Sequence, residues 1–171
     1  MGPRHPAILA SLLLLLVNAS ACEDRRADKA YLRGDYDKAV TEIEFLANRG
    51  EARAQYDLGL MYDQGQGVPK DDARAVHWYG LAAEQGEPRA QYNLGLMYLN
   101  GQGVQPDLVT AYYWTTLSAN RGNVHARDAR DYIGEKMSTE QIAEGKRRVQ
   151  HYEDQKQKNA CTFCNPNNRS Y

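Results

Sequence analysis

Apolar residues recur along this chain at the spacing of an amphipathic helix. One stripe follows the positions i, i+4, i+7 and i+8 and consists of Ala54, Leu58, Met61 and Tyr62. A second stretch, beginning at Ala73, places two small residues and an indole on one face, namely Ala75, Trp78 and Ala82. Small residues alternating with a large one are what closely packed helix pairs require. The pattern therefore predicts two successive helices that pack against each other.

Both stretches occur twice. The segment AQYDLGLMYDQGQGV at Ala54 returns as AQYNLGLMYLNGQGV at Ala90, and residues 51–86 and 87–122 are identical at 20 of 36 aligned positions. The second copy of the small-residue face is Ala111, Trp114 and Ser118. A single helix hairpin cannot bury its apolar stripe alone, so the repetition predicts hairpins that stack into a solenoid.

The segment between the predicted helices, GQGVPKD or GQGVQPD, predicts a tight turn. Its two glycines offer sites for positive φ, while the proline and aspartate start the next helix by fixing φ and capping free amides. Within the first helix of each copy, Gly59 and Gly95 each cost about 1 kcal/mol in helix propensity. We expect these two glycines to let a neighbouring helix come close.

The spacing A-x-x-x-L-G-x-x-Y-x-x-G-x-G-V-x-x-D-x-x-x-A-x-x-W, present at 54–78 and 90–114, resembles the Sel1-like repeat, a relative of the tetratricopeptide repeat. The resemblance implies an all-α fold: a short right-handed α-solenoid of about three helix hairpins with a C-terminal capping helix. It covers two full copies and extends loosely over 27–157. The first unit, at 30–39, lacks the GQGV insertion and is closer to the shorter tetratricopeptide form.

The pattern fades after the second copy. Three polar residues replace Tyr92, Leu94 and Gly95 one repeat later, and we interpret them as a polar cap on the open end of the core: Asp128, Arg130 and Asp131. Ser138 and Gln141 fit the capping box S-x-x-Q, which predicts a final helix starting near Thr139. Three residues are expected to dock it, Ile142, Val149 and Tyr152.

These patterns predict four segments. They are a signal peptide at 1–21, a polar leash at 22–29, the repeat solenoid with its capping helix at 30–157, and a flexible tail with a CxxC motif at 158–171. The apolar run from Ala7 to Val17 would rise about 16 Å as a helix, against a hydrocarbon core of about 30 Å, so it is too short for a permanent span. We interpret it as the core of an export signal.

Two processing routes fit the N-terminus. Ala19-Ser20-Ala21 satisfies the small-x-small rule of ordinary signal peptidase, which would leave a periplasmic or secreted protein with a free Cys22. The segment ASAC also resembles the lipobox of bacterial lipoproteins, although Ala19 stands where that pattern usually has Leu. A lone cysteine at this position favours lipidation of Cys22. Because Asp does not follow the cysteine, the pattern resembles outer-membrane sorting, with the protein facing the periplasm.

The sequence offers little for catalysis. A net charge of −1 argues against nucleic-acid binding, and no histidine stands at metal-ligand spacing, so we expect neither enzymatic activity nor a cofactor or metal. Asp71 and Asp72 are interpreted as a helix start rather than a cation site. Cys161 and Cys164 are expected to form a local disulfide in an oxidising compartment, with an intermolecular bridge or a redox role as alternatives.

What remains is a binding surface. The resemblance to the tetratricopeptide fold implies that the first helix of each hairpin lines a concave face, with Arg53, Tyr56, Leu60, Asp63 and Gln64 from one copy and Arg89, Tyr92, Leu96, Leu99 and Asn100 from the next. Tyrosine and arginine often supply interface energy. The alternative is that Tyr56 and Tyr92 pack within the solenoid.

We therefore expect a protein-protein interaction scaffold in the bacterial cell envelope that binds a protein or peptide on this concave face. One alternative is a periplasmic regulator that binds a membrane sensor. Another is an enzyme, because some Sel1-like proteins with a cysteine pair in each repeat are associated with β-lactam binding or hydrolysis. Residues 27–157 contain no cysteine, which disfavours that alternative.

Overall fold

The protein is all-α throughout the part that the structure describes. A computed structural model describes Arg33 and residues 36–163, with the side chains of Arg33 and residues 38–159. Within these residues it contains seven helices and no strand: α1 Tyr36–Asn48, α2 Ala52–Gln64, α3 Asp72–Gln85, α4 Pro88–Asn100, α5 Leu108–Asn120, α6 Val124–Gly134 and α7 Thr139–Phe163. The chain divides into two compact units, residues 1–82 and 83–171.

The first unit is built from α1, α2 and most of α3. Its core contains the predicted stripe of α2, and these four residues are all buried: Ala54, Leu58, Met61 and Tyr62. On α3, Ala75 and Ala82 are fully buried as predicted, but Trp78 is not. The prediction for the indole was wrong, because Tyr79, one residue later, holds the core position and is fully buried. The helix therefore presents a slightly rotated face.

The two helices of each hairpin meet at a glycine. A Cβ atom on Gly59 would lie 2.7 Å from Cδ1 of Tyr79, and one on Gly95 would lie 2.7 Å from Cγ2 of Thr115 and 3.2 Å from the carbonyl oxygen of Ala111. Real Cβ atoms do not approach other atoms this closely, so only glycine fits. The prediction that both glycines allow close packing is confirmed.

The turn inside each hairpin has the predicted geometry. Gly65 and Gly67 have φ of 68° and 72°, and their counterparts Gly101 and Gly103 have 70° and 67°. The turn brings the next aspartate back to the end of the first helix, where the amide of Asp107 donates to the carbonyl of Tyr98 at 3.0 Å. An equivalent hydrogen bond of 2.9 Å joins the corresponding residues of the first copy, Asp71 and Tyr62.

The same aspartates cap the second helices, as predicted. Asp107 accepts from the amides of Val109 and Thr110 and from the Thr110 hydroxyl. Partial burial opposes the charged form, but these hydrogen bonds, with the positive charge of Arg148, outweigh it and lower the pKa of Asp107. Asp71 likewise accepts from the amide of Arg74. The aspartates therefore have a structural role at the helix start.

In the second unit, α5 lies against α4, α6 and α7. Its core cluster combines Ala111 and Tyr112 of α5 with Ile133 of α6. Helix α6 buries little beyond Ala126 and Ile133, in keeping with the polar cap expected from its sequence. Helix α7 covers the cluster, and Gly145 lies so close to Tyr112 that a Cβ atom there would be 2.7 Å from the ring.

Helix α7 begins as predicted and ends later than predicted. The amide of Ser138 donates to Oε1 of Gln141, and the amide of Gln141 donates to Oγ of Ser138, which is the reciprocal pattern of a capping box. The helix reaches Phe163, so the tail boundary at 157 is too early. Between residue 157 and Pro166 the sequence contains no glycine or proline, so nothing local stops the helix at the predicted boundary.

Other predicted features lie outside the described residues. They are the signal peptide at 1–21, the leash at 22–29 with Cys22, Cys164, and the side chain of Cys161. Among the described helices, none has the length and apolar character needed to cross a membrane.

The glycine contacts lead to a stability prediction with a built-in control. We expect Gly95→Ala to lower the free energy of unfolding by about 1–3 kcal/mol, because the new methyl group must displace α5. Gly80, within α3, has open space where its Cβ would stand, so Gly80→Ala should raise stability by about 0.5–1 kcal/mol. Urea unfolding followed by circular dichroism measures both, and an unchanged midpoint for Gly95→Ala would contradict the packing argument.

Candidate partner-binding site

A groove of about 390 Å³ lies between α4 and α6 in the second unit. We call it the repeat groove. Helix α4 contributes one wall, Tyr92, Leu96, Leu99 and Asn100, and helix α6 contributes the other, His125, Asp128, Ala129 and Tyr132. All four residues from α4 belong to the set predicted for the concave face.

The position of this wall follows from the two stripes of α4. One stripe, Ala90, Leu94 and Met97, is buried. The groove stripe follows the same spacing two residues further along, and the side chains of Tyr92, Leu96 and Leu99 remain partly exposed. Helix α4 therefore supports the fold with one face and presents Tyr92 and Leu96 to the groove with another, while Leu99 lines the groove and also packs against the core cluster.

The repeat groove has an apolar interior and polar groups around it. The Tyr92 ring lies 6.5 Å from the His125 ring. Tyr132 is 52% exposed, and the Lys136 ammonium stands 4.6 Å from its ring centroid. Asp128 is exposed, and Asn100 donates to the side chain of Gln102. Half-exposed tyrosines beside leucines, with hydrogen-bonding groups nearby, suit a polypeptide better than a small reactive substrate.

The predicted residues of the first unit make other contacts. Tyr56 is half-buried with its ring 5.8 Å from that of Tyr79, and the Tyr79 hydroxyl donates to Asp63 at 3.4 Å. Lys70 also approaches the Asp63 carboxylate, at 3.8 Å. Tyr56 and Asp63 are thus tied to α3 and the following turn, while Leu60 is partly exposed and Gln64 is exposed. The packing interpretation applies to Tyr56 more than to Tyr92.

The two predicted arginines do not line the repeat groove. Arg53 pairs with Asp57 at 3.7 Å, and Arg89 donates to Glu87 at 2.9 Å. Both pairs are local and at least half exposed on the arginine side, so they contribute little to stability.

Sequence reasoning missed the α6 wall. His125, Asp128 and Tyr132 stand one repeat after Arg89, Tyr92 and Leu96, so the 36-residue period could have identified them. Their residue types differ from those of the earlier copies, and the sequence pattern indicates a polar cap here rather than a groove wall. The periodic position, rather than the residue type, carries the signal.

Two buried glutamines support the helices that carry the candidate residues. Gln91 is fully buried and donates to the carbonyl of Ala83 at 3.0 Å, while Gln55 is 5% exposed and donates to the carbonyl of Ala47 at 3.2 Å. In both copies the glutamine connects the first helix to the end of the preceding helix. The signal in the sequence is an identical Gln beside a buried Ala, at 54–55 and 90–91.

The described residues hold no group of three or more histidine, cysteine or acidic side chains placed to bind a metal ion. His77 is exposed and its ring lies 5.1 Å from that of Trp78, and His125 belongs to the repeat groove. The predicted disulfide between Cys161 and Cys164 lies outside the described side chains and stays a prediction.

The helix hairpins, glycine turns and repeated caps define an α-helical repeat protein. The family model described as "Sel1 repeat" matches residues 52–87 and 88–123. A solved Sel1 repeat protein from Oxalobacter formigenes is 36% identical, with a TM-score of 0.61, and the alignment covers 71% of this chain and 97% of that one. The chain belongs to the Sel1 repeat family, and the predicted fold class, an all-α solenoid of Sel1-like repeats, is confirmed.

Further relatives differ in size. The Escherichia coli protein c5321, described as a protective antigen with an SLR fold, is 32% identical with a TM-score of 0.73, over 77% of this chain and 29% of that one. The rat protein DAP3-binding cell death enhancer 1 is 42% identical over 25% of this chain, and Arabidopsis thaliana HRD3A, an ERAD-associated E3 ubiquitin-protein ligase component, is 34% identical over 35%. The matches span less than a tenth of these two curated relatives.

Sel1 repeat proteins are protein-interaction scaffolds, and the fold is typical of proteins without enzymatic activity. The coarse functional expectation from the sequence, a protein-binding repeat array, therefore agrees with the family. The partner and the cellular location are separate questions.

Two adjacent residues of α6, Tyr132 on the repeat groove and Ile133 in the core, should differ in their effect on stability. Tyr132→Ala should change the free energy of unfolding by less than about 0.5 kcal/mol, because half of its side chain is already exposed. Ile133→Ala should cost about 2–5 kcal/mol, because Ile133 is fully buried. Thermal and urea unfolding of both variants provide the measurement. A large loss of stability for Tyr132→Ala would show that this residue serves the fold.

Proposed function

We propose that this protein is an interaction scaffold of the bacterial cell envelope and that it holds a protein or peptide partner in the repeat groove. The observation that carries the proposal is the α4 wall, where Tyr92 and Leu96 line the groove together with Leu99, which also packs against the core cluster, while a separate stripe of α4 is buried. Large apolar side chains that the fold leaves partly exposed beside a concavity are typical of interaction sites.

The names of two relatives support binding rather than catalysis. One is described as binding DAP3, and the other as a component of a ubiquitin ligase. Each is similar to this chain over a short stretch, of 43 residues for the first and 61 for the second. In this protein the same type of repeat would bind one partner segment along α4 and α6.

The envelope location is supported by the first 29 residues. A short apolar run, small residues before Cys22 and the polar segment EDRRADK are what an exported protein with an N-terminal anchor needs. Lipidation of Cys22 would hold the repeats near a membrane, and several acyl chains would make that attachment stable where one chain is marginal. The outer membrane, facing the periplasm, is the proposed site.

The partner is tested by cross-linking and pull-down from native envelopes. We expect the parent protein to recover one defined partner and a Tyr92→Ala, Tyr132→Ala double variant to lose it, because both tyrosine rings of the groove are removed. The matched control is Phe45→Ala, which removes an aromatic ring that is 53% exposed and does not line the groove. Circular dichroism confirms that each variant is folded.

The outcome separates the possible scaffolding roles. Recovery of a pore or synthase would assign the protein to an assembly, whereas recovery of a sensor kinase would favour the regulatory alternative. If the double variant keeps the partner and Phe45→Ala loses it, the binding site lies elsewhere and the proposal for the repeat groove is wrong.

Processing at Cys22 is tested separately. In a bacterial host, metabolic labelling with a fatty-acid analogue should mark the mature protein, and Cys22→Ala should abolish the label, because no other residue of the lipobox can be acylated. Membrane fractionation and intact mass give the location and the cleavage site. An unlabelled parent cleaved after Ala21 would instead establish ordinary signal-peptidase processing.

A further inference from the structure

A second groove, of about 450 Å³, lies between α5 and α7, away from the residues that line the repeat groove. We call it the cap groove. Tyr113 comes from α5, and the other lining residues come from α7: Arg147, Arg148, His151, Tyr152 and Gln155. The geometry points to a binding site for an acidic peptide segment that carries an aromatic side chain, supplied by a partner protein.

The interior of the cap groove is aromatic. The rings of Tyr113 and Tyr152 meet edge to face, with centroids 6.3 Å apart and an angle of 81° between their planes. Both side chains are partly buried, so their rings are held in place before any ligand arrives. An aromatic or apolar side chain of a partner can pack on such rings with little ordering of the site.

The Tyr152 ring is fixed by contacts on its other side. Its hydroxyl donates to the carbonyl of Glu84 at 3.1 Å, and Arg121 and Lys156 each stand 5.6 Å from its ring centroid. These contacts join α7 to the carboxyl end of α3. The Tyr152 side chain is thus held by one hydrogen bond and two cation–π contacts.

The rim of the cap groove carries two arginines, Arg147 and Arg148. The carboxylate of Glu144 accepts hydrogen bonds from both guanidinium groups, from Arg147 at 2.6 Å and from Arg148 at 2.8 Å. Asp107 is a second anion that acts on Arg148, so the two arginines face two carboxylates and offer an acidic ligand their unused N–H donors rather than unbalanced charge. The next acidic residues along the helix have their own partners, since Glu153 pairs with Arg121 and Asp154 accepts from Gln150.

The arginines can bind a further carboxylate without losing Glu144. Each guanidinium has five N–H donors, and Arg147 uses its Nε and Nη2 atoms on Glu144. Arg148 uses Nε on Glu144 and Nη1 on the Thr110 hydroxyl. Both side chains are well exposed, at 69% and 46%, so an incoming acidic residue can reach them.

Two further groups fit a peptide ligand. Burial raises the pKa of Tyr113 to about 12, with smaller contributions from Tyr152, Glu153 and Glu84, so the Tyr113 hydroxyl keeps its proton and can donate a hydrogen bond. The amide of Gln155 can both donate and accept. A peptide offers both kinds of partner in its backbone and an aromatic side chain as well, whereas a phosphate ion or a lipid headgroup offers no aromatic side chain.

The test uses a fluorescein-labelled peptide of alternating glutamate and tryptophan, with a glutamine–tryptophan peptide for comparison, in fluorescence anisotropy titrations of the mature protein. We expect the acidic peptide to bind the parent more tightly than the neutral one, with an affinity that falls as salt is added. An Arg147→Gln, Arg148→Gln double variant should weaken binding by roughly tenfold.

The matched control is a Lys146→Gln, Arg127→Gln double variant. It removes the same charge from exposed positions that do not line the cap groove, so binding should change by less than about twofold. Arg147→Gln alone, which loses only its contacts with Glu144, replaces the double arginine variant if that variant does not fold. Equal weakening by both double variants would show a general charge effect and overturn the proposal.

Other results would overturn it as well. If the parent binds neither peptide but binds vesicles of phosphatidylglycerol over vesicles of phosphatidylcholine, the two arginines serve a membrane surface. If Tyr92→Ala, Tyr132→Ala abolishes peptide binding while the arginine variant retains it, the peptide occupies the repeat groove. We expect the tyrosine variant to keep peptide binding and the arginine variant to lose it. This result separates the cap groove from the proposed function of the repeat groove.

Discussion

The contact between a glycine of the first helix and a side chain of the second is the constraint on which each repeat depends. At Gly59 the ring of Tyr79 occupies the space that a Cβ atom would need, and at Gly95 Thr115 does the same. The glycines weaken the isolated helices, so the fold keeps them only because packing at this distance more than compensates. The close contact also orients the first helix, which buries one stripe and leaves another for the groove.

The turns and the glutamines connect the helices of each repeat through hydrogen bonds at the helix ends. The positive φ values of the turn glycines return the chain so that an aspartate both bonds the end of the first helix and caps the second. Gln55 and Gln91 then satisfy carbonyl groups at the end of the preceding helix. These hydrogen bonds satisfy backbone groups at the helix ends, and the bonds from aspartate to tyrosine and from glutamine to alanine occur in both copies, 36 residues apart. The repeated sequence therefore encodes the same helix-end hydrogen bonds in each copy.

Most of the fold and part of the site could be predicted from the sequence, for physical reasons. Apolar period, glycine turns and the capping box are local signals, so the helices and the stripe of Leu58 and Met61 were identified correctly. Trp78 and Tyr79 are adjacent aromatics on α3, and only the approach to Gly59 decides which one is buried. The α6 wall stands at the 36-residue period and was missed because its residue types differ from those of the earlier copies. The cap groove escaped prediction because it joins residues of α5 and α7, whose packing the sequence does not specify.

The last helix, α7, ends the repeat array and in doing so forms the cap groove. Where a further repeat would follow, α7 covers the core instead, with Gly145 against Tyr112 and with Tyr152 and Lys156 donating to the carbonyl groups of Glu84 and Gln85. Those contacts use one side of α7 and leave Arg147 and Arg148 exposed outside the core. Helix α7 both donates hydrogen bonds to carbonyl groups at the end of α3 and covers α5. It therefore places Arg147, Arg148 and Tyr152 beside Tyr113 of α5. The cap groove arises from the same packing that completes the fold.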